Sequence, residues 1–266
     1  MNLKDLLVKI EKYAIGDTPL IRRKKLEELC GIPNLLIKDE SKNRFGTFKD
    51  RRNKLIIEKA VEEHVDKLAL ITSGNAGYSL ARLAAGTGIK VVCIVDRIYE
   101  INIKKHLLKH AYNVVEVDLS QKIFQLEDIM ERARETSNEV IWDVTNGYHI
   151  AFHTLVGEIR SENPDYLISP LGGGEAYVGL YEGVKVNGMR TKLVGVGVHG
   201  LRNNRLELRE SPSVADKLYT PWTPYKKRIE AILQEGHLYS HCSDEQISST
   251  YKKIRTIISC EPSSAA

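Results

Sequence analysis

Short runs of aliphatic and β-branched residues recur along the chain, with room for a helix between most of them. Seven such runs occur, at residues 34–38, 68–72, 90–95, 113–117, 139–144, 165–169 and 192–198. Several are almost continuously apolar rather than alternating with polar residues. This pattern predicts strands that are covered on both faces, as in parallel sheets.

Amphipathic stretches of helical length separate these runs. They predict helices at residues 49–63, 76–86, 122–135, 149–160 and 175–186. Ser243 and Gln246, three residues apart, form a capping box that predicts the start of a further helix. Strands that alternate with helices favour an α/β fold built on open, mostly parallel sheets with flanking helices.

Length and charge exclude several classes of protein. A chain of 266 residues could form one large domain or two smaller ones. Its net charge of +4 comes from basic and acidic residues that are mixed along the chain, so nucleic acid is not an expected partner. No run approaches the ~20 apolar residues that cross a bilayer, and the charged first twenty residues lack the apolar core of a signal peptide. We therefore expect a cytoplasmic protein with no membrane partner.

Cysteine and histidine spacing gives no case for a metal site or a disulfide framework. The four cysteines lie far apart, at Cys30, Cys93, Cys242 and Cys260, and are expected to be reduced and mostly buried. His149 and His153 have the i, i+4 spacing of a metal-binding pair, but no third ligand is evident. Both histidines are therefore predicted to be structural, and no metal is expected.

The first of three strand-to-helix junctions contains Lys49, in the segment DESKNRFGTFKDRRNK. Ligands of open α/β sheets bind at the carboxyl ends of the strands, where such junctions lie. The dipole of a helix start and burial would both disfavour the ammonium form of Lys49, and a neutral amine can attack an aldehyde. Taken alone, Lys49 could equally be one more solvated lysine.

The second junction runs from Thr72 to Asn75, where a buried strand leads into an Ala-rich helix. Its hydroxyl groups, its amide and the unpaired N–H groups of the helix start can hold a carboxylate, although a plain turn with an N-cap residue is the alternative. The third junction, Pro170 to Gly174, contains three successive glycines that permit close approach of a phosphate. Its spacing matches neither the dinucleotide fingerprint nor the Walker loop. His199 also follows a predicted strand and could approach a site.

Taken together and in this order, the motifs resemble the tryptophan-synthase-β-like family of pyridoxal 5′-phosphate (PLP) enzymes, also called fold type II. The segments that carry the resemblance span almost the whole chain and are GDTPL, IKDE, GTFKDR, ITSGN, PLGGGEAYVGLYEG, SDEQI and EPSSAA. The family includes threonine synthases, threonine and serine dehydratases and cysteine synthases. The resemblance implies two open parallel sheets in two domains: residues 1–42 and 157–266 form the larger, phosphate-binding domain, and residues 43–156 form a smaller, mobile one.

The resemblance also implies a role for individual residues. Lys49 would be the Schiff-base lysine, and Asn75 would lie against the 3′-oxygen of the cofactor. The residues implied to receive the substrate carboxylate are Thr72, Ser73 and Gly74. The backbone implied to hold the cofactor phosphate is that of Gly172, Gly173, Gly174, Glu175 and Ala176. Family members are commonly homodimers, so a homodimer is expected.

The reaction implied is elimination or replacement at the β or γ carbon of an amino acid, with Lys49 as the base. The KDR run that begins at Lys49 and the Thr47-Phe48 pair favour a threonine synthase-like lyase. A cysteine synthase-like transferase and a serine or threonine dehydratase are the alternatives within the family. A nucleotide-binding α/β protein would require an acidic ribose contact that the sequence does not offer.

Two departures from the family pattern favour another class, a binding or regulatory relative that has lost turnover. Glu175 stands where the phosphate loop usually has a small or polar residue. At ~4 Å from a phosphate charge and an effective dielectric constant near 20, its repulsion would cost roughly 4 kcal/mol, so its side chain is expected to point away. The sequence also stops at EPSSAA, where relatives continue into a helix and a strand that meets the pyridine nitrogen. The apolar surface left there would be covered by a partner chain, by a swapped segment or by sequence that is missing from this piece.

Overall fold

The computed structural model describes residues 3–98, 101–119 and 125–266 and forms two compact units. The first unit contains residues 1–18 and 40–151, and the second contains residues 19–39 and 152–266. The chain therefore passes between the units three times, and neither unit is one continuous segment. These boundaries differ from the predicted ones chiefly at the N-terminus, because the helix of residues 3–11 packs into the first unit through Ile10.

The described chain contains ten α-helices and eleven strands. The helices are α1 (Leu3–Glu11), α2 (Lys24–Cys30), α3 (Lys49–Glu62), α4 (Asn75–Ala84), α5 (Ile101–Leu108), α6 (Leu126–Ala133), α7 (His153–Glu158), α8 (Glu175–Val186), α9 (Lys226–Gln234) and α10 (Asp244–Ile254). The strands are β1 (Leu20–Arg22), β2 (Leu36–Lys38), β3 (Lys67–Ile71), β4 (Lys90–Asp96), β5 (Asn113–Val117), β6 (Ile141–Asp143), β7 (Tyr166–Pro170), β8 (Lys192–Gly197), β9 (Gly200–Arg202), β10 (Arg205–Glu207) and β11 (Leu238–His241).

A four-stranded sheet forms the centre of the first unit, with the order β5-β4-β3-β6 and all pairs parallel. Successive residues of β3 face opposite sides of this sheet. Leu68 and Leu70 belong to a core with α3 and α4, whereas Ala69 packs with Ile129 of α6 on the other face. Both faces are therefore covered, as the continuous apolar runs predicted.

The second unit is built on a three-stranded parallel sheet with the order β11-β8-β7. Its core joins Leu193 of β8 to Tyr177 of α8 and Ile229 of α9. Two antiparallel pairs accompany this sheet, β1 with β2 and β9 with β10. The turn between β9 and β10 consists of Asn203 and Asn204, both with positive φ (49° and 58°), as the tight turn of a hairpin requires.

The α/β fold class and its parallel sheets are confirmed. Helix 175–186 has the predicted bounds, and the capping box of Ser243 and Gln246 opens α10. The stretch 149–160 contains a 3-10 helix (His149–Phe152) before α7, and residues 122–124 of another predicted helix lie outside the described residues. Among the described helices, none has the length and apolar character needed to cross a membrane.

Candidate functional site

Lys49 is the first residue of α3, in the first unit, and its side chain is partly buried. Its Nζ lies 5.3 Å from the centroid of the Phe48 ring. Its backbone N–H donates to Oγ1 of Thr47 at 3.3 Å. The amine thus lies at the start of a fourteen-residue helix, as the sequence predicted.

The four residues that follow Lys49 are all polar and all buried: Asp50, Arg51, Arg52 and Asn53. Buried polar groups need partners, because each unpaired one costs free energy. The polar side chains of the run KDRRN therefore need hydrogen-bond partners inside the protein. These partners fix the start of α3 and so determine where Lys49 lies.

Arg51 joins three of the sequence motifs in one network. Its Nε donates to Oε2 of Glu40 at 2.7 Å and its Nη2 donates to Oε1 at 2.8 Å, which makes a bidentate pair. The hydroxyl of Thr18 donates to the same Oε1 at 2.6 Å. The segments GDTPL, IKDE and GTFKDR therefore meet through Thr18, Glu40 and Arg51.

Arg52 and Asn53 tie α3 to the ends of two other elements. The guanidinium of Arg52 donates to the carbonyl of Val144 and to that of Thr145, the second at 3.4 Å, just beyond the end of β6. Nδ2 of Asn53 donates to the carbonyl of Ala76 at 2.9 Å, in the first turn of α4. The start of α3 is thereby fixed to the carboxyl-end side of the four-stranded sheet.

Asp50 closes the glycine-containing turn that precedes Lys49. Its Oδ2 accepts the N–H of Phe45 at 2.6 Å. Burial raises the pKa of Asp50 to about 6, although Ser79 and the N–H of Phe45 both favour the charged form. Within the described residues, neither Oδ1 of Asp50 nor Oγ of Ser79 completes a hydrogen bond of good geometry. This turn is therefore held by a carboxyl group that titrates near neutrality.

Thr72 shapes the second junction from inside. Its Oγ1 accepts the N–H groups of Gly74 at 3.0 Å and Gly77 at 3.1 Å, and its side chain is buried. Gly74 has φ +126°, a conformation that side chains disfavour. Ser73 and Asn75 are partly buried at the start of α4. The structure thus brings the four predicted residues together in one tight turn, in the same unit as Lys49.

The third junction, which we call the glycine loop (residues 171–174), joins β7 to α8 in the second unit. A Cβ on Gly172 would lie 2.8 Å from the carbonyl oxygen of Lys217, and one on Gly174, at φ +90°, would overlap Ile229. A Cβ on Gly173 would meet nothing within 4 Å. Packing therefore requires glycine at two positions, whereas the third lies beside open space that a ligand could occupy.

Glu175 and Ala176 form the first turn of α8, and both are partly buried. A carboxylate in this turn is favourable for the helix, because it faces the positive end of the macrodipole. The carboxylate of Glu175, which is unusual for a phosphate loop, therefore stabilises the start of α8.

Two residues that hold the glycine loop carry no role in the predicted site. The buried ring of His199 contacts the carbonyl oxygen of Gly172 through Nε2 at 3.2 Å. The hydroxyl of Thr223, also buried, donates to the carbonyl of Gly173. His199 could be noticed only because it follows a predicted strand, and no pattern distinguishes Thr223.

Other candidates have structural partners. Nε2 of His153 pairs with Oε2 of Glu182 at 3.2 Å, which ties α7 to α8. Across the described residues, no group of three or more His, Cys, Asp or Glu side chains could hold a metal ion. Cys93 is buried, and burial raises the pKa of its thiol to about 12.

A parallel α/β chain with an anchored lysine at one helix start and a glycine loop at another has the parts of an enzyme that binds an aldehyde cofactor with a phosphate group. The sequence model of one family, described as "Pyridoxal-phosphate dependent enzyme", matches residues 11–266. The chain belongs to this family, and its cofactor is pyridoxal 5′-phosphate. The glycine loop fits a phosphate, because open space lies beside Gly173 and the helix dipole of α8 begins there.

Curated relatives include two threonine synthases. The one from Methanosarcina acetivorans is 24% identical over 280 residues, which cover 94% of this chain and 68% of that protein. The one from Methanocaldococcus jannaschii is also 24% identical, over 287 residues that cover 97% of this chain and 69% of that protein. At this identity the reaction of the relatives does not transfer by similarity alone.

Solved structures with the same fold carry several different activities in their titles. O-acetylserine dependent cystathionine β-synthase from Helicobacter pylori has a TM-score of 0.75 at 20% identity, covering 95% of this chain and 85% of that one. Serine racemase from Dictyostelium discoideum has a TM-score of 0.74 at 22% identity, covering 99% of this chain and 88% of that one. A fungal L-serine ammonia-lyase from Rhizomucor miehei has a TM-score of 0.78 at 16% identity, covering 96% and 85%. These likenesses establish the fold.

Proposed function

We propose that this chain catalyses a PLP-dependent elimination or replacement at the β or γ carbon of an amino acid, as a threonine synthase-like lyase. The observation that carries the proposal is the anchored start of α3. Four consecutive buried polar residues fix the turn that contains Lys49. Burying polar groups costs free energy, and a lysine that only contacts solvent would not need such a fixed position. Both curated relatives named above are threonine synthases, which supports the choice within the family.

Lys49 is the residue that we assign to the covalent bond with the aldehyde carbon of the cofactor. PLP, when bound, supplies an acceptor for the electron pair that remains after a substrate proton is removed. Once released, Nζ of Lys49 would take the α-proton of the substrate and return it later. Both roles need the neutral amine.

The turn from Thr72 to Asn75 is assigned to the substrate carboxylate and the cofactor ring. Because Oγ1 of Thr72 already accepts two N–H groups, its hydroxyl can contribute only its proton to the carboxylate. Ser73 and the N–H groups at the start of α4 would supply the other donors. Asn75 would hold its amide against the 3′-oxygen of the cofactor.

The glycine loop and the first turn of α8 are assigned to the cofactor phosphate. Backbone N–H groups from Gly172 to Ala176 would donate to the phosphate oxygens, and the dipole of the twelve-residue α8 would add to the attraction. Glu175 would contribute its N–H while its carboxylate stays away from the phosphate.

Chemical fixation tests the role of Lys49. The purified protein, incubated with PLP, should show the visible or near-ultraviolet absorbance band of an imine, which borohydride removes. Peptide mapping should then find the added mass on Lys49. The Lys49→Ala variant should lose both signals. Lys54→Ala is the matched control, since Lys54 lies on the same helix and pairs only weakly with Glu58 at 3.9 Å. Label on Lys54, or none at all, would refute the assignment.

A substrate panel then separates the reactions. O-phosphohomoserine should give threonine and inorganic phosphate if the chain is threonine synthase-like. Release of acetate from O-acetylserine would instead indicate a cysteine synthase-like transferase, and ammonia with a keto acid from serine or threonine would indicate a dehydratase. A protein that binds PLP on Lys49 but turns over none of these would be the regulatory or binding relative that Glu175 suggests. The homodimer and the cytoplasmic location remain predictions from the sequence, and sedimentation analysis would test the first.

A further inference from the structure

The carbonyl groups of two successive glycines in the glycine loop are each held by a buried side chain. His199 binds the carbonyl of Gly172, and Thr223 binds that of Gly173. Relative exposure is 0% for His199 and 6% for Thr223, so water does not compete strongly for either bond. Thr223 is itself fixed, because its Oγ1 accepts the N–H of Tyr225 at 3.1 Å.

Anchoring a carbonyl also orients the N–H of the following residue. A trans peptide unit is planar, and its C=O and N–H groups point in opposite directions. The described chain contains no cis peptide bond. His199 therefore turns the N–H of Gly173 away from itself, and Thr223 does the same for the N–H of Gly174. Nothing in the described ranges accepts a hydrogen bond from either N–H group.

The environment of His199 selects one neutral tautomer. Nδ1 lies 3.1 Å from the backbone N–H of Arg209, which is a donor, so Nδ1 must be unprotonated. Nε2 faces the carbonyl of Gly172, which can only accept, so Nε2 must carry the hydrogen. The ring thus links the backbone at Arg209, just after β10, to the glycine loop through one hydrogen bond on each side.

Burial is the main reason that the ring of His199 is neutral. It lowers the pKa of His199 most, the hydrogen bond to Gly172 opposes it, and Arg209 and His241 nearby lower the pKa further. His241 and Tyr239 both contact the backbone carbonyl of His199 rather than its ring, at 3.0 Å and 2.9 Å. A protonated ring would confront the N–H of Arg209 with a second donor.

We propose that His199 and Thr223 are positioning residues for the cofactor phosphate. They orient two peptide units of the glycine loop in advance, so that the N–H groups of Gly173 and Gly174 meet the phosphate oxygens without rearrangement. The proposal rests on the proposed function, in which this loop binds the phosphate. Preorganised donors bind more tightly than donors that must first be ordered, and loss of either anchor should therefore weaken phosphate binding specifically.

The test compares binding of PLP with binding of pyridoxal, which lacks the phosphate. His199→Phe keeps a ring without nitrogen atoms, and Thr223→Val keeps the shape without the hydroxyl. Each should weaken PLP binding about 10-fold, the equivalent of one lost hydrogen bond, while pyridoxal binding stays the same. His199→Gln, whose amide nitrogen can again donate to Gly172, should recover most of the loss.

His237→Phe is the matched control. Its Nδ1 also accepts a backbone N–H, that of Leu193 at 2.9 Å, and its ring packs on Tyr181. Among the described residues, no hydrogen bond or ring contact joins His237 to residues 171–174. This variant should leave the ratio of PLP to pyridoxal affinity as it is in the parent protein. A general loss of folding in His199→Phe would appear in its near-ultraviolet circular dichroism, and Thr223→Val then decides the question alone.

The outcomes distinguish the proposal from the function on which it rests. Equal affinity of the parent protein for PLP and pyridoxal would mean that the glycine loop does not hold the phosphate, which overturns the proposed function of the loop. A parent that prefers PLP, with the same preference in Thr223→Val and His199→Phe, would overturn the positioning role only. The phosphorus NMR shift of bound PLP should move in both variants and not in His237→Phe.

Discussion

Replacing Glu40 by glutamine should destabilise the first unit far more than a typical change of surface charge. Glu40 accepts two hydrogen bonds from Arg51, at 2.7 Å and 2.8 Å, one from Thr18 at 2.6 Å and one from Nδ2 of Asn43 at 2.9 Å. The side chain of Arg51 is only 2% exposed. In Glu40→Gln the buried guanidinium would lose this bidentate ion pair, and the new amide group would face donors.

The expected cost follows from this burial. Removing one partner of a buried ion pair leaves an uncompensated charge and costs about 3 to 5 kcal/mol. Glu58→Gln is the matched control in the same unit, because Glu58 pairs with Lys54 at 3.9 Å on the surface of α3 and the two side chains are 29% and 27% exposed. Surface pairs of this kind contribute roughly 0 to 1 kcal/mol.

Urea denaturation of the cofactor-free protein measures both variants. The chain has two tryptophans, and Trp142 lies in the first unit whereas Trp222 lies in the second. In a Trp222→Phe background, fluorescence reports unfolding around Trp142 alone. The midpoint should fall strongly for Glu40→Gln with little change in slope, and hardly at all for Glu58→Gln. Equal, small effects of the two substitutions would refute the idea that the Arg51 network fixes the start of α3.

Three further predictions concern single residues. Burial raises the pKa of Asp50 from 3.8 to about 6, so the parent protein loses stability as pH rises through this range. The free energy of unfolding of Asp50→Asn should therefore increase relative to that of the parent by up to about 3 kcal/mol between about pH 4 and pH 8. Parallel curves of stability against pH would contradict this. Gly174→Ala should cost about 2 to 4 kcal/mol in thermal denaturation through positive φ and overpacking, whereas Gly188→Ala, at φ +64° in open space, should cost only about 1 kcal/mol. Maleimide should label exposed Cys30 at once and buried Cys93 only after unfolding, as mass spectrometry of the digest would show.

The sequence pattern predicted the parallel sheets well, because strands covered on both faces must be apolar throughout. The run 90–95 corresponds to β4 and the run 113–117 to β5. It missed β1, β9 and β10, which have only three residues each, and β11, in which exposed and partly buried residues interrupt the apolar pattern. Short strands at the edge of a sheet owe their pairing to the neighbouring strand rather than to their own composition.

The sequence could indicate those candidate site residues whose setting depends on their neighbours in the chain, but not their distant partners. Lys49 begins a helix and the three glycines precede one, and that context is visible in the sequence. The partners of these residues come from far along the chain, since His199 lies 27 residues from Gly172 and Thr223 lies 50 residues from Gly173. Only the folded chain brings such pairs together, so no spacing rule could have identified them.

The three passages of the chain between the units limit the order in which the protein can form during synthesis. All residues of the first unit have been made once residue 151 has emerged from the ribosome. Residues 19–39 are then a loop between two parts of this unit, and closing a loop of this length costs little entropy. The strands of that loop, β1 and β2, belong to a unit whose remaining residues are made last. A ribosome-bound chain from which residues up to 151 have emerged should therefore protect β3 to β6 from proteolysis while β1 and β2 are still cleaved.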